Sequence, residues 1–356
     1  MVKRIGILTS GGDCAGLNAT MRGVVLAADQ LMDCEFYGIQ NGFEGLMHGE
    51  MAKMEVSDFA DILELGGTIL HSHRTPFKRM RIIEDGFDKV KAMIDNYQKF
   101  ELDCLVCLGG AGTHKNANML KGEGLNVIAL PKTIDNDIFG TELSFGFSTA
   151  VEIATDVIDR VVTTARSHDR VMVVEIMGNK TGWLALNSAI ATKADMVLIP
   201  EIPYDEEKIV KSIREIKDGG KRYAIVVVAE GAKSIDEAAM SKKDYLKLWE
   251  TYPEKDVGAR IVNLITKSTG LEGRLVKPGH QLRGGTPNCA DRVLSTKIGV
   301  FAAQLIKDEK FGKAVSIRKN KCIASPLEDI AGKTKKIPVD GELVATARLT
   351  GIKFGD

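Results

Sequence analysis

Residues 131–137 read PKTIDND, a lysine and a threonine followed by two aspartates two positions apart, directly after the apolar run NVIAL. Two carboxylates and a cation at the end of a strand are the ingredients of proton transfer and of metal or anion handling. The same pattern also suits a turn or helix-capping aspartate.

Three more loops carry residues of this kind. Gly11, Gly12 and Asp13 follow KRIGILTS, Gly109–Thr113 (GGAGT) follow LDCLVCL, and Met177 and Gly178 follow VMVVEI. Glycines there let backbone N–H groups approach phosphate oxygens, and a following helix presents its positive end, so a phosphate-rich ligand is expected. A glycine after a strand also serves as an ordinary turn. Neither GxxxxGK[ST] nor GxGxxG occurs, so the usual P-loop and dinucleotide fingerprints are missing.

Other chemistry-bearing residues point elsewhere. The six cysteines (14, 34, 104, 107, 289, 322) are scattered, which argues against a disulfide framework and for reduced thiols. Cys104 and Cys107 form a CxxC inside an apolar run, where an extended strand points residues three apart to opposite faces. That disfavours a shared metal or redox role. His71 and His73 share a face if extended but have no second ligand pair nearby, and are expected to face solvent or substrate.

Short β-branched runs alternate with helical-period segments for most of the chain, the pattern of parallel sheets covered on both faces. One set runs through NVIALP, a second from VMVVEIMG through RYAIVVVAEG, and the helical segment 149–168 lies between them. The helical ADRVLSTKIGVFAAQLIKDE follows the second set and is expected to return to the first domain. At 356 residues the chain exceeds what one core usually organises, which predicts two domains. In open parallel sheets ligands gather at the carboxyl ends of strands, where all four loops fall.

Lys+Arg and Asp+Glu both count 48, leaving no basic surplus for nucleic acid or an anionic membrane. A small substrate is expected. The start MVKRIGILTSGGD enters a strand-like run without a long apolar stretch, so a cytoplasmic location is expected.

TSGGDCAGLNA, GGAGT, PKTIDND, SHDRVMVVEIMG (167–178), the glutamate of VVVAEG and PGHQLRGGTPNCADR (278–292) occur in the order found in phosphofructokinases. From residue 1 to about 323 the chain resembles that family; no matching motif is seen beyond. The resemblance implies two Rossmann-like α/β/α domains with parallel-rich sheets and the active site in the cleft between them. Residues 1–146 and about 282–323 would form the larger donor-binding domain, and 147–281 with about 324–356 the smaller sugar-phosphate domain. The implied reaction is transfer of a phosphoryl group from ATP to the 1-hydroxyl of fructose 6-phosphate, with Mg2+, in a homodimer or homotetramer with shared active sites.

Each matched residue then has an implied role. Asp135 would be the base, Thr133 would position the sugar, Lys132 would face donor phosphate, and Asp137 would support the metal. Gly11, Gly12, Arg74, Gly110, Ala111, Gly112 and Thr113 would bind the donor. Arg170 and Arg274 would clamp anionic oxygens, and His280 and Arg283 would hold the 6-phosphate, arginine because its fork binds phosphate bidentately. Met177, Gly178 and Asn179 would line the sugar pocket. Glu230 ends an apolar strand, where a buried carboxylate needs partners, and sugar hydroxyls would supply them. In relatives some of these arginines come from a neighbouring subunit.

The chain also departs from the family pattern. Ala111 stands where the family usually has a carboxylate that helps hold magnesium, which implies that the metal is carried by the donor phosphates with Asp137 and water, that activity is impaired, or that the residue was changed deliberately. Gly112 resembles ATP users, whereas Lys132 resembles pyrophosphate users. ATP is the favoured donor, pyrophosphate the alternative, and a catalytically weak sugar-phosphate or nucleotide binder the reading of another class. Asn179 replaces a usual arginine, followed by Lys180. Arg22 is kept from the effector-binding arginines of regulated relatives, but Leu26 and Val162 replace two others, so effector control of that kind is not expected.

Overall fold

The computed structural model describes residues 2–356, and the chain divides into two compact units. The first runs to Thr149 and takes up Arg283–Lys335; the second comprises Ala150–Leu282 and Lys336–Asp356. In chain order the strands among the described residues are β1 (Lys3–Ser10), β2 (Cys34–Ile39), β3 (Met51–Met54), β4 (Cys104–Gly109), β5 (Val127–Pro131), β6 (Val171–Ile176), β7 (Met196–Leu198), β8 (Ala224–Ala229), β9 (Gly273–Val276), β10 (Lys313–Arg318) and β11 (Lys321–Pro326).

The first unit's sheet has the order β11-β10-β5-β4-β1-β2-β3, parallel except for β3 and β11 at its two edges. Every residue of β4 and β5 is buried, because helices cover both faces and leave no solvent side for polar alternation. Cys104 and Cys107 both lie in β4, fully buried, and burial pushes both thiols well above their ordinary range.

The chain returns to this unit through the helix Cys289–Lys307, which packs on the helix Leu17–Leu31. A Cβ on Gly299 would lie 2.4 Å from the Thr20 carbonyl, so only glycine permits this approach. β10 then joins β5 in parallel, and a turn through left-handed Lys319 and Asn320 sends β11 back antiparallel. Leu327 and Ile330 bury themselves in the same core as Leu120 and Ala129. Residues 324–335, expected with the smaller domain, therefore belong to the first unit.

The second unit's sheet, β7-β8-β6-β9, is parallel throughout. Its core includes Val173, Val226 and Val228 from the sheet, Ile209 and Ile213 from the helix Glu206–Asp218, and Ile261 and Ile265 from the helix Val257–Thr269. Lys353 extends β7, donating to and accepting from the backbone of Asp195 and Val197. Among the described residues no helix is long and apolar enough to cross a membrane.

Candidate active site

Strand register assembles the first unit's site. Ser10 pairs with Gly109, and Gly109 with Pro131, so three strands end level and the loops after them open at one edge. That edge brings Gly11, Gly110 and Lys132 side by side.

After β1, Gly11 takes a positive φ of 89° and its N–H donates to the His73 carbonyl, while Ser72 Oγ donates to the Gly11 carbonyl at 2.6 Å. The segment 68–74 is thereby fastened to the first loop. Together Gly11, Gly12, Asp13, Thr68, His71, Ser72 and Arg74 line a cavity of about 420 Å³. Thr68 and Ser72 were not legible as site residues, since a hydroxyl between turns carries no distinctive spacing.

Gly110 precedes the helix Ala111–Gly122 with no side-chain cap, which leaves the helix's first N–H groups uncapped by any side chain. Thr113 is buried and leans on Ser10, its hydroxyl donating to that carbonyl at 3.4 Å. A Cβ on Gly112 would meet nothing within 4 Å, so the space beside it is open. His114, on the same helix, is buried with Nδ1 3.0 Å from the Gly110 carbonyl and Nε2 without a hydrogen-bond partner. Burial pulls its pKa down to about 4, so the ring is neutral with its proton on Nδ1.

After β5 the chain forms a tight loop. Lys132 is buried, its ammonium donates to the Gly12 carbonyl, and burial lowers its pKa. Thr133 Oγ1 accepts from the Asp135 N–H at 3.0 Å. Asn136 adopts a left-handed φ of 49°, and its side chain bridges the Ser144 N–H and the Glu142 carbonyl. Asp137 is buried on the same loop. Among the described residues no group of three or more His, Cys, Asp or Glu side chains could hold a metal ion by itself. Arg283 falls in the first unit, where the sequence placed it, and its Nη1 donates to the Asp13 carbonyl at 3.2 Å.

The second unit has its own cavity, of about 630 Å³, lined by Met177, Asn179, Glu230, Gly279 and His280 among the expected stretches. Glu230 is exposed rather than buried, because it lies one residue beyond β8. Its Oε1 accepts from the N–H groups of Gly178 and Asn179, at 3.3 and 2.8 Å, so backbone donors supply its partners. The buried carboxylate is Glu175, which accepts from the Gly258 N–H at 2.7 Å and pairs with Lys277 at 3.3 Å. Glu175, Trp249, Lys255, Asp256 and Lys277 also line the cavity and were not foreseen. Glu175 lies within the recognised stretch 167–178 and Lys277 directly precedes the stretch 278–292, and their nearness to Met177 and His280 was the available signal.

Arg170 and Arg274 do not line this cavity. Both pair with Glu272, Arg170 at 2.8 Å, where β6 and β9 begin. Met177 lies beyond the other end of β6, six residues or about 20 Å away at the ordinary rise of a strand. Asp291, from the recognised NCADR, is structural: its carboxylate accepts from Gly146 N–H, Thr149 N–H and Thr149 Oγ and so anchors the helix Phe147–His168.

This arrangement defines a class, α/β proteins that handle phosphate groups at the carboxyl edge of a parallel sheet. The phosphofructokinase family model matches residues 4–306. The ATP-dependent 6-phosphofructokinase of Spirochaeta thermophila is 48% identical over 99% of this chain and 98% of its own. ATP-dependent 6-phosphofructokinase 3 of Bacteroides thetaiotaomicron is 43% identical over 99% of this chain and 100% of its own. Among solved structures, Pichia pastoris phosphofructokinase in the T-state superposes with a TM-score of 0.80 at 29% identity, over 99% of this chain and 37% of that one. The pyrophosphate-dependent enzyme from Nitrosospira multiformis shares the fold, with a TM-score of 0.80 at 20% identity over 99% of this chain and 93% of that one. The chain belongs to the phosphofructokinase family.

Proposed function

We propose that this chain transfers the terminal phosphoryl group of ATP to the 1-hydroxyl of fructose 6-phosphate, giving fructose 1,6-bisphosphate. The observation that carries the reading is the level ending of β1, β4 and β5, which gathers two glycine loops, Lys132 and the TIDND loop at one edge. Asp135 accepts the proton of the attacking hydroxyl, and Thr133, already bonded to the Asp135 N–H, holds the loop geometry beside it. The Lys132 ammonium faces the departing phosphate. Gly178, Asn179 and Glu230 shape the sugar pocket with His280, and Arg170 and Arg274, remote from their own chain's cavity, serve a neighbouring subunit's pocket in a homo-oligomer.

Kinases of this family generally need a divalent metal, and Mg2+ is the ion we assign. The residues fit a metal that arrives on donor phosphates rather than in a protein cage: Ala111 offers no ligand atom, and Asp137 offers one buried carboxylate. When bound, Mg2+ neutralises charge developing on the transferring group.

ATP is favoured over pyrophosphate because the 38–48% identical relatives are named ATP-dependent and the space at Gly112 is open to a nucleotide's α-phosphate. A coupled assay comparing the two donors tests this; turnover with pyrophosphate alone would overturn it. Asp135→Asn tests the base: kcat should fall by roughly 10²-fold or more with little change in sugar affinity.

A further inference from the structure

Beyond the stretch matched by the family model, the chain sends residues 333–335 back onto the TIDND loop. Thr334 bridges Ile138 antiparallel, and the Lys335 N–H donates to the Asp137 carbonyl at 2.8 Å. The Lys335 ammonium donates to the carbonyls of Thr141 and Glu142, at 2.9 and 2.8 Å. One residue thus holds both legs of the loop, the outgoing leg at Asp137 and the returning leg at 141–142. The returning leg is itself tied to β10, through Glu142 N–H to the Ile317 carbonyl and Ile317 N–H to Thr141 Oγ1. The outgoing leg carries Asp135 and Asp137, and its left-handed Asn136 bonds the same Glu142 carbonyl that Lys335 does.

We infer that Lys335 is a positioning residue for phosphoryl transfer: the segment after β11 is a strap whose lysine clamps the two legs of residues 133–144 and so sets the place of Asp135. The inference rests on the reading of Asp135 as the base. The physical reason is directional. An ammonium offers three donors on a long stem, and here it satisfies carbonyls that a tight loop turns away from any sheet. Misplacing a reacting group by about an ångström can cost on the order of 10²-fold in rate. The strap's anchor is firm, since Leu327 and Ile330 are buried in the first unit's core and Gly332 at φ 90° turns the chain toward the loop.

The test compares Lys335→Met and Lys335→Arg with the parent full-length protein. For Lys335→Met, kcat is expected to fall roughly 10- to 100-fold while the KM for each substrate stays within about twofold, and Lys335→Arg, which can reach the same carbonyls, is expected to recover most of the loss. Hydrogen–deuterium exchange, read without any turnover, should rise in peptides covering 133–144 and stay level in peptides covering β6 and β8. Should Lys335→Met not accumulate in folded form, Lys335→Gln, whose shorter, neutral side chain keeps an amide NH2, is read the same way. Unchanged kcat, equal losses in kcat and in sugar affinity, or unaltered exchange over 133–144 would each overturn the role. Were Asp135 not the base, Asp135→Asn would keep its activity while the exchange signature of Lys335→Met still appeared, so the two failures are separable.

Discussion

Arg283 occupies the space a side chain on Gly12 would need: a Cβ there would lie 2.7 Å from Arg283 Nη1, which donates to the carbonyl of Asp13. The residue that must yield is the far end of a flexible arginine, so the fold can absorb the change by moving the guanidinium, and if Arg283 holds substrate phosphate the cost falls on binding.

Gly12→Ala is therefore expected to fold normally, with a midpoint of thermal unfolding close to the parent's, yet to bind phosphorylated substrate about ten- to a hundredfold more weakly. That is the usual loss when a charge-assisted contact of about 1.5–3 kcal/mol is displaced. Melting curves and KM values for both substrates check it; a large drop in melting temperature with unchanged KM would place the role of Arg283 in stability.

The donor edge is probed by two neighbouring substitutions. Ala111→Asp places a carboxylate at the first residue of the helix Ala111–Gly122, where it can offer oxygen to the metal, and is expected to raise kcat with ATP and lower the magnesium needed for half-maximal rate. Gly112→Asp meets no protein atom within 4 Å at its Cβ, so the protein tolerates it, and its charge should damage use of ATP more than of pyrophosphate. A magnesium titration of each variant with both donors separates metal support from donor choice.

Arg274→Ala removes one of the two arginines that share Glu272 at the start of β6 and β9. The KM for fructose 6-phosphate should rise about ten- to a hundredfold while that for ATP moves little. Because the cavity of the same chain lies beyond the other end of β6, mixing Arg274→Ala with Asp135→Asn protomers should give, at fructose 6-phosphate well below the raised KM, more activity than either variant alone. Mixtures as inactive as their components would show that the arginine does not act across subunits.

His114 makes acid stability a property of the donor loop. Its pKa is held down near 4 in the fold against 6.5 when exposed, so the unfolded chain binds the extra proton first as pH falls. This group's contribution is intact above about 6.5 and is lost progressively down to about 4, up to roughly 3 kcal/mol for that shift. His114→Gln should flatten this part of a denaturation-versus-pH profile; an unchanged slope between pH 6.5 and 4 would mean the ring is accessible to protonation in the fold.

Much of the molecule was legible in its residues because the relevant physics is local. Short unbroken apolar runs such as CLVCLG and AIVVVA suit strands buried on both faces, and glycines soon after them mark the edge where loops carry chemistry. The order of motifs from TSGGD to PGHQLRGG placed the chain in its family, which the matched residues 4–306 bear out. What remained hidden depends on partners far apart in sequence. No local pattern says that Glu272 draws Arg170 and Arg274 to one end of a sheet, that Glu230 stands exposed while Glu175 is buried, or that Arg283 rests on Gly12. Residues 324–335 read as an unmatched tail because their attachment to the first unit is made by pairing β11 with β10 and burying Leu327 and Ile330. Lys335 was one lysine among many in KTKKIP until folding set it beside Asp137, Thr141 and Glu142, nearly two hundred positions earlier in the chain. Local periodicity reports the elements, whereas such contacts exist only once burial has brought distant segments together.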